Sequence, residues 1–132
     1  VFLGNGECNE GSVWEAIMSA SSLKLDNLIA IVAENGFQNE IEPSKTILDS
    51  TDLGGKLKSL GWNVCSVDGH NISKSYNAFV EGNVKNKPIV VVAATIKGKG
   101  VTFMENDNAW HHNRLTEVLY NQALKEIGES KC

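Results

Sequence analysis

The sequence predicts an α/β protein: a doubly wound, mostly parallel sheet with helices on both faces. Three observations predict it. Apolar runs recur at Val1–Leu3, Leu28–Ala33, Trp62–Val67 and Pro88–Thr95, each of strand length. Segments with helical periodicity separate them, the alternation that builds parallel sheets. Turns follow the runs, glycine-bearing in several cases, and in open α/β sheets that carboxyl edge is where ligands bind.

The bounds agree. At 132 residues one domain is the natural count. A net charge of −4 gives no electrostatic case for nucleic acid or an anionic membrane. Cys8, Cys65 and Cys132 are odd in number and lack Cys-x-x-Cys spacing, which points to reduced thiols in a cytoplasmic protein and away from a zinc site. No apolar stretch approaches a membrane span, and no signal peptide is visible.

Val1-Phe2-Leu3 reads as the end of a buried strand, so an upstream part of the domain is expected to be missing. Gly4-Asn5-Gly6-Glu7 then makes a tight turn. Gly4 and Gly6 suit positive φ and close backbone approach to a ligand, and the turn delivers N–H groups and a helix N-terminus to one point, which favours an anion. Ser12–Leu23 is the first helix. Ser12 and Glu15 have capping-box spacing, and Val13, Ala16, Ile17 and Ala20 share a core face. Trp14, on the flank, reads as core or subunit packing.

Leu28–Ala33 is continuously apolar, as in a strand covered on both faces. Asn35-Gly36-Phe37 follows it. If the first two strands are parallel neighbours, Asn5 and Asn35 share one sheet edge, where amide oxygens and a carbonyl could hold a hard cation such as Mg²⁺. The alternative for Asn5 is a turn-shaping role, since Asn tolerates the left-handed region. Residues 36–51 read as a loop over that edge. There Phe37 and Ile41 pack either on a ligand or locally.

Asp52–Leu60 is a short helix with Leu53, Leu57 and Leu60 on one side, closed by Gly61. Trp62–Val67 is the third strand and Asp68-Gly69-His70-Asn71 its turn, with Asn71 or Ser73 capping a helix to about Val80. His70 reads as a substrate contact or, preferably, as a turn histidine bonded to backbone. Pro88–Thr95 is the fourth strand. After it, Lys97-Gly98-Lys99-Gly100 is a phosphate-receiving loop or merely a solvated one. Val101–Asn108 is loop-like. Thr116–Ile127 is a closing helix with Leu119, Ala123 and Ile127 at core spacing, and residues 128–132 are expected to fray. His111 and His112 lack an evident third ligand, so a metal pair is rejected.

The stretch from Gly4 to Ser12, with Asn35 about thirty residues further on, resembles the thiamine diphosphate motif of transketolases, Gly-Asp-Gly followed by Asn. Further words agree in order: Gly-Ser-Val-Trp-Glu-Ala, Leu-Lys-Leu-Asp-Asn-Leu-Ile-Ala-Ile-Val, Gly-Trp-Asn-Val, Asp-Gly-His, Lys-Gly-Lys-Gly-Val-Thr and Trp-His-His. Together they resemble the amino-terminal subunit of split bacterial transketolases over almost the whole chain. The resemblance implies residues 1–132 as a single diphosphate-binding domain. It implies a metal held by Asn5, Asn35 and the Phe37 carbonyl. It implies cofactor contacts at Gly4, Gly6, Glu7, Asn35 and His111, with structural work as the alternative for Glu7. It implies catalytic roles for His111 and for Glu10, a glutamate linked in the family to the dimer interface. Glu10's alternative is a solvated acid near a helix N-terminus.

Two departures stand out. The family's metal-binding Asp is Asn5 here, and the glycine of its His-Gly pair is His112. The implied activity is transfer of a two-carbon ketol unit between sugar phosphates, with thiamine diphosphate as electron sink. The family's activating glutamate lies on a separate pyrimidine-binding domain, so the chain is expected to be inactive without a partner subunit or domain, in a homo- or hetero-oligomer. The alternatives are a degenerate assembly module, 1-deoxyxylulose-5-phosphate synthase, or the decarboxylating component of a 2-oxo acid dehydrogenase. A plain dinucleotide-binding domain fits worse, because the third glycine comes only at Gly11.

Overall fold

A computed structural model describes residues 1–37 and 52–129. Four strands, β1 (Phe2–Gly4), β2 (Ile29–Glu34), β3 (Asn63–Asp68) and β4 (Ile89–Ala94), form one sheet in the order β1-β2-β4-β3. Every pairing among them is parallel. Helices α1 (Gly11–Ser22), α2 (Leu53–Ser59), α3 (Ile72–Glu81) and α4 (Glu117–Glu129), with short 3-10 turns at Glu7–Asn9 and Asn108–His111, complete the described elements.

Period-2 alternation along the strands produces the two winding faces. Ala30, Val32, Val90 and Val92 point to one side, where they pack with Ile17 and Ala20 of α1 and Leu53 and Leu57 of α2. Ile89 and Val91 point to the other, against Ala78 and Phe79 of α3. The chain steps outward from β1 to β2 to β3 over the first face, then reverses to β4 beneath α3. Right-handed crossovers require that change of face when the strand order reverses. The expected doubly wound sheet is therefore present, and β4, buried from Ile89 to Ala93, lies between β2 and β3.

Several local expectations need correction. The first strand is not buried: Phe2 is 78 % exposed, because β1 has a neighbour on one side only among the described strands. The Ser12–Glu15 capping box does not form. The first helix starts one residue earlier, with Glu10 as its cap and no side-chain cap bond, so Ser12 lies inside the first turn. Ala16 is exposed, unlike Ile17 and Ala20. At the other end α4 runs through Gly128 to Glu129, so those residues are helical rather than frayed. Ile127, 56 % exposed, is off the core face that Ala123 occupies.

Other local signals hold. Asp52 and Asn71 cap α2 and α3, accepting from the N–H groups of Gly55 and Lys74. Gly61 adopts φ +92° after α2, the left-handed step that ends a helix. The expected loop at 38–51, with Ile41, lies outside the described residues.

Candidate functional site

The site is built where β1 and β2 end. Their register pairs Gly4 with Ala33, and the Asn5 N–H donates to the Ala33 carbonyl at 3.2 Å. Asn5 thus leaves β1 beside the point where Asn35 leaves β2, at one carboxyl edge. Asn5 is 5 % exposed, a buried polar residue. Among the described residues no hydrogen bond reaches its side-chain amide, and none engages the Gly6 N–H. Asn35 differs: its Oδ1 accepts from the Phe37 N–H at 2.9 Å, an Asx turn that sets the path of the backbone past Phe37.

Glycine serves this turn differently from the expectation. Neither Gly4 nor Gly6 has a positive φ, and Gly6 sits at φ −66°, ψ −38°, open to any residue. Asn5 is likewise outside the left-handed region, so that turn-shaping rationale does not apply. What remains for glycine is close approach. The Gly4 N–H is already used, donating to Glu7 Oε2 at 2.6 Å. Glu7 therefore ties the turn together, and an anion there would meet its carboxylate unless the side chain swung away. Glu10 is exposed at the start of α1, its carbonyl accepting from the Val13 N–H at 3.1 Å.

Cys8 lies under this turn in the core cluster, its carbonyl accepting from the Trp14 indole N–H at 2.7 Å. Trp14 is thus core packing, one of the two readings its position allowed. Burial first, then the Glu7 and Glu34 carboxylates, push the Cys8 thiol up to about 11. A thiol held that high is protonated at neutral pH and a poor nucleophile. In native protein at pH 7, a maleimide should therefore label Cys65 and spare Cys8, with both labelled after unfolding. Peptide mapping reads this, and fast native labelling of Cys8 would contradict its burial.

The neighbouring strand ends supply the rest of the edge. His70 Nε2 accepts from the Ile96 N–H at 2.7 Å, so His70 is the turn histidine that ties the exit of β3 to that of β4. Lys97 Nζ lies 2.7 Å from His111 Nδ1. With Lys97 as the donor, that nitrogen accepts. Gly98 and Gly100 have φ of +73° and +96°. Glu105 closes their loop, taking the Gly100 N–H at 3.0 Å and pairing with Lys99 at 3.5 Å. The Gly100 bond, with Lys99 nearby, holds the Glu105 carboxyl below its usual range. Lys97, not Lys99, is therefore the lysine aligned with the histidine. This pairing was not legible in the sequence, since only the fold of residues 98–110 brings positions 97 and 111 together. His111 and His112 stack edge-on at 4.5 Å rather than converging on one point. No group of His, Cys, Asp and Glu fit to hold a metal occurs among the described residues.

Asn5, Asn35 and the Phe37 carbonyl are all oxygen donors and suit a hard cation, with Asn5 spare and Asn35 Oδ1 retaining a second lone pair. They fit Mg²⁺ in ligand type but bring no formal charge.

Fold and edge together define the class: a parallel α/β domain that gathers amide, imidazole and ammonium groups at the carboxyl ends of its strands. A family profile described as "Transketolase, thiamine diphosphate binding domain" matches residues 1–130, and the chain belongs to the transketolase family. It is 38 % identical over 126 residues to human transketolase, covering 95 % of this chain and 20 % of that protein. It is 37 % identical to a 6-deoxy-6-sulfo-D-fructose transketolase subunit of Clostridium, covering 95 % of this chain and 46 % of that subunit. An apulose-4-phosphate transketolase subunit of Phocaeicola vulgatus is 33 % identical, with 98 % of this chain and 46 % of that one covered. Among solved structures, Pichia stipitis transketolase in complex with sedoheptulose 7-phosphate superposes with a TM-score of 0.86 at 29 % identity, covering 97 % of this chain and 19 % of that one. The chain thus spans less than half the length of these relatives. No described helix is long and apolar enough to cross a membrane.

Proposed function

We propose that this chain is the diphosphate- and Mg²⁺-binding part of a cytoplasmic thiamine diphosphate-dependent transketolase, moving a two-carbon ketol unit between sugar phosphates. The observation that carries this reading is the β1–β2 register, which sets Asn5 beside Asn35 at one sheet edge, in a chain of this family. When bound, the thiazolium ring supplies the electron sink for carbon–carbon cleavage. Asn5, Asn35 and the Phe37 carbonyl would hold the metal, the Gly6 N–H would meet the diphosphate, and Lys97 would add a point charge. His111, which lies 2.7 Å from Lys97 through Nδ1, would contact the cofactor diphosphate or the substrate. Glu10, exposed before α1, is available to a partner at a subunit interface.

Split-subunit relatives support a partner chain that carries the pyrimidine-binding domain, with activity arising only in the complex. Calorimetric titration of thiamine diphosphate with Mg²⁺, on the protein alone and with such a partner, tests the reading. Binding that tightens with the partner and vanishes with chelator is the expected result. No binding in either state by folded protein would overturn it in favour of a non-catalytic assembly module, the reading that the neutral Asn5 supports.

A further inference from the structure

Hydrogen bonding between neighbouring strands continues past the end of β4. The Thr95 N–H donates to the Glu34 carbonyl on the β2 side at 2.9 Å. The next N–H, of Ile96, belongs to the β3 side, because successive N–H groups along a parallel strand alternate in direction. There the backbone of β3 has already turned toward α3, with the Gly69 N–H on the Ala94 carbonyl at 2.8 Å and the Asn71 N–H on the Asp68 carbonyl at 3.0 Å. A side chain fills the gap: His70 Nε2 accepts from the Ile96 N–H at 2.7 Å. The turn is shaped for this contact. A Cβ on Gly69 would lie 2.6 Å from Thr95 Cγ2, so a glycine lets the two strand exits approach. Asp68 Oδ1 accepts from the His70 N–H at 3.0 Å. The residue after Ile96 is Lys97, whose carbonyl accepts from the Asn106 N–H at 2.9 Å and whose Nζ meets His111 Nδ1.

We propose that His70 is a positioning residue for the Lys97–His111 pair and that it works only as a neutral imidazole: holding the Ile96 N–H, it aims Lys97, and its protonation releases that segment. An accepting ring nitrogen carries no proton, so the neutral ring keeps its proton on Nδ1. A protonated imidazole donates from both nitrogens and would meet the Ile96 N–H with another N–H. The bond is therefore present at the upper end of the range in which imidazoles change charge, about pH 5–8, and is lost as pH falls. His70 is exposed, so solvent protons reach it. Charged groups of both signs surround it. Asp68 lies on its own turn, Lys74 on α3, and Lys97, Lys99 and Glu105 on the loop bonded to it. Of these, Glu105 senses the charge of His70, while Lys99 and the Gly100 N–H engage its carboxylate.

The purpose of aiming Lys97 rests on the cofactor reading above; the Ile96 contact and its dependence on protonation do not.

Amide hydrogen exchange at Ile96, followed by NMR as protection relative to the unfolded chain, tests the proposal at two pH values, about 5.5 and about 7.5. Ile96 is the position to read, because protonation of His111 acts on the Lys97 contact directly. Wild-type protection there is expected to fall about tenfold on acidification, the worth of one hydrogen bond, with the amides of β4 itself unchanged. His70→Gln offers a neutral amide oxygen at similar reach and should keep Ile96 protected at both pH values. His70→Ala should leave it unprotected at both. Equal protection in wild type and His70→Ala, or a fall with pH in His70→Gln that matches the wild type, overturns the proposal. Ring-nitrogen shifts of wild-type His70 decide without any variant: a proton on Nδ1 and a bare Nε2 are expected at the higher pH, and the other tautomer overturns it. Calorimetry of thiamine diphosphate with Mg²⁺, on the same proteins with the partner subunit, reads the consequence, and binding should weaken less on acidification in His70→Gln than in wild type. Binding with identical pH dependence in the two overturns the positioning role. Loss of Ile96 protection on acidification in wild type only, with no binding in any of the proteins, supports the aiming of Lys97 and counts against the cofactor reading.

Discussion

Asn5→Asp should tighten binding of Mg²⁺ and thiamine diphosphate by about tenfold or more, on the order of 1.4 kcal/mol, and should destabilise the metal-free protein. Both effects have one cause. Residue 5 is buried, and a carboxylate placed there without a counter-ion loses its hydration and gains no partner. Glu7 and Glu34 add to the cost. Both act on Cys8, three positions along the chain, so the region already carries negative charge. We expect the metal-free variant to lose about 1–3 kcal/mol. A divalent cation then recovers the loss, because a ligand that binds only the folded state stabilises it by mass action. Thermal unfolding with and without Mg²⁺, beside calorimetry, separates the two terms. A variant that melts lower but gains no metal affinity would show that Asn35 and Phe37 do not complete a site around residue 5.

Legibility in the sequence divided along physical lines. The sheet was readable because Ile29–Ala33 and Ile89–Ala94 are apolar on both faces, a pattern that only a covered parallel strand sustains. Helices capped by one side chain and its own backbone, as at Asn71, were readable because the interaction is local. What failed was whatever depended on competition between local options. Ser12 has the right spacing for a cap, but α1 begins at Gly11 and spends that position inside the helix. Gly4 and Gly6 look like positive-φ glycines, yet the positive values fall at Gly36, Gly61, Gly98 and Gly100. In the site, the neighbouring positions of Asn5 and Asn35 followed from parallel pairing alone. The Lys97–His111 contact and the Glu7–Gly4 clasp required side-chain directions that no spacing rule supplies.

Trp62→Ala should be the most damaging single core substitution, at about 3–5 kcal/mol. That is a large part of the roughly 5–15 kcal/mol that holds a typical domain together. Trp62 is 4 % exposed at the join between α2 and β3. Its backbone N–H donates to the Leu57 carbonyl at 3.2 Å, and its indole Nε1–H donates to the Ile17 carbonyl of α1 at 2.9 Å. One residue thus joins both helices of this face to the sheet, α2 through its backbone and α1 through its side chain. It also borders an apolar cavity of about 130 Å³ shared with Leu3, Cys8, Ile17 and Leu57. Removing the indole would enlarge a space that is already imperfectly filled, where the loss of contacts is not recovered by collapse. Trp62→Phe keeps most of the apolar area but loses the bond to Ile17, so it should cost much less, about 1–2 kcal/mol. The difference matters for the site, because α1 starts directly after the Gly4–Glu10 turn and its seating fixes where that turn lies. Chemical unfolding of both variants gives the comparison. Equal costs for the two would mean that the indole bond, and not the packing of α1 and α2 over β4, holds this face together.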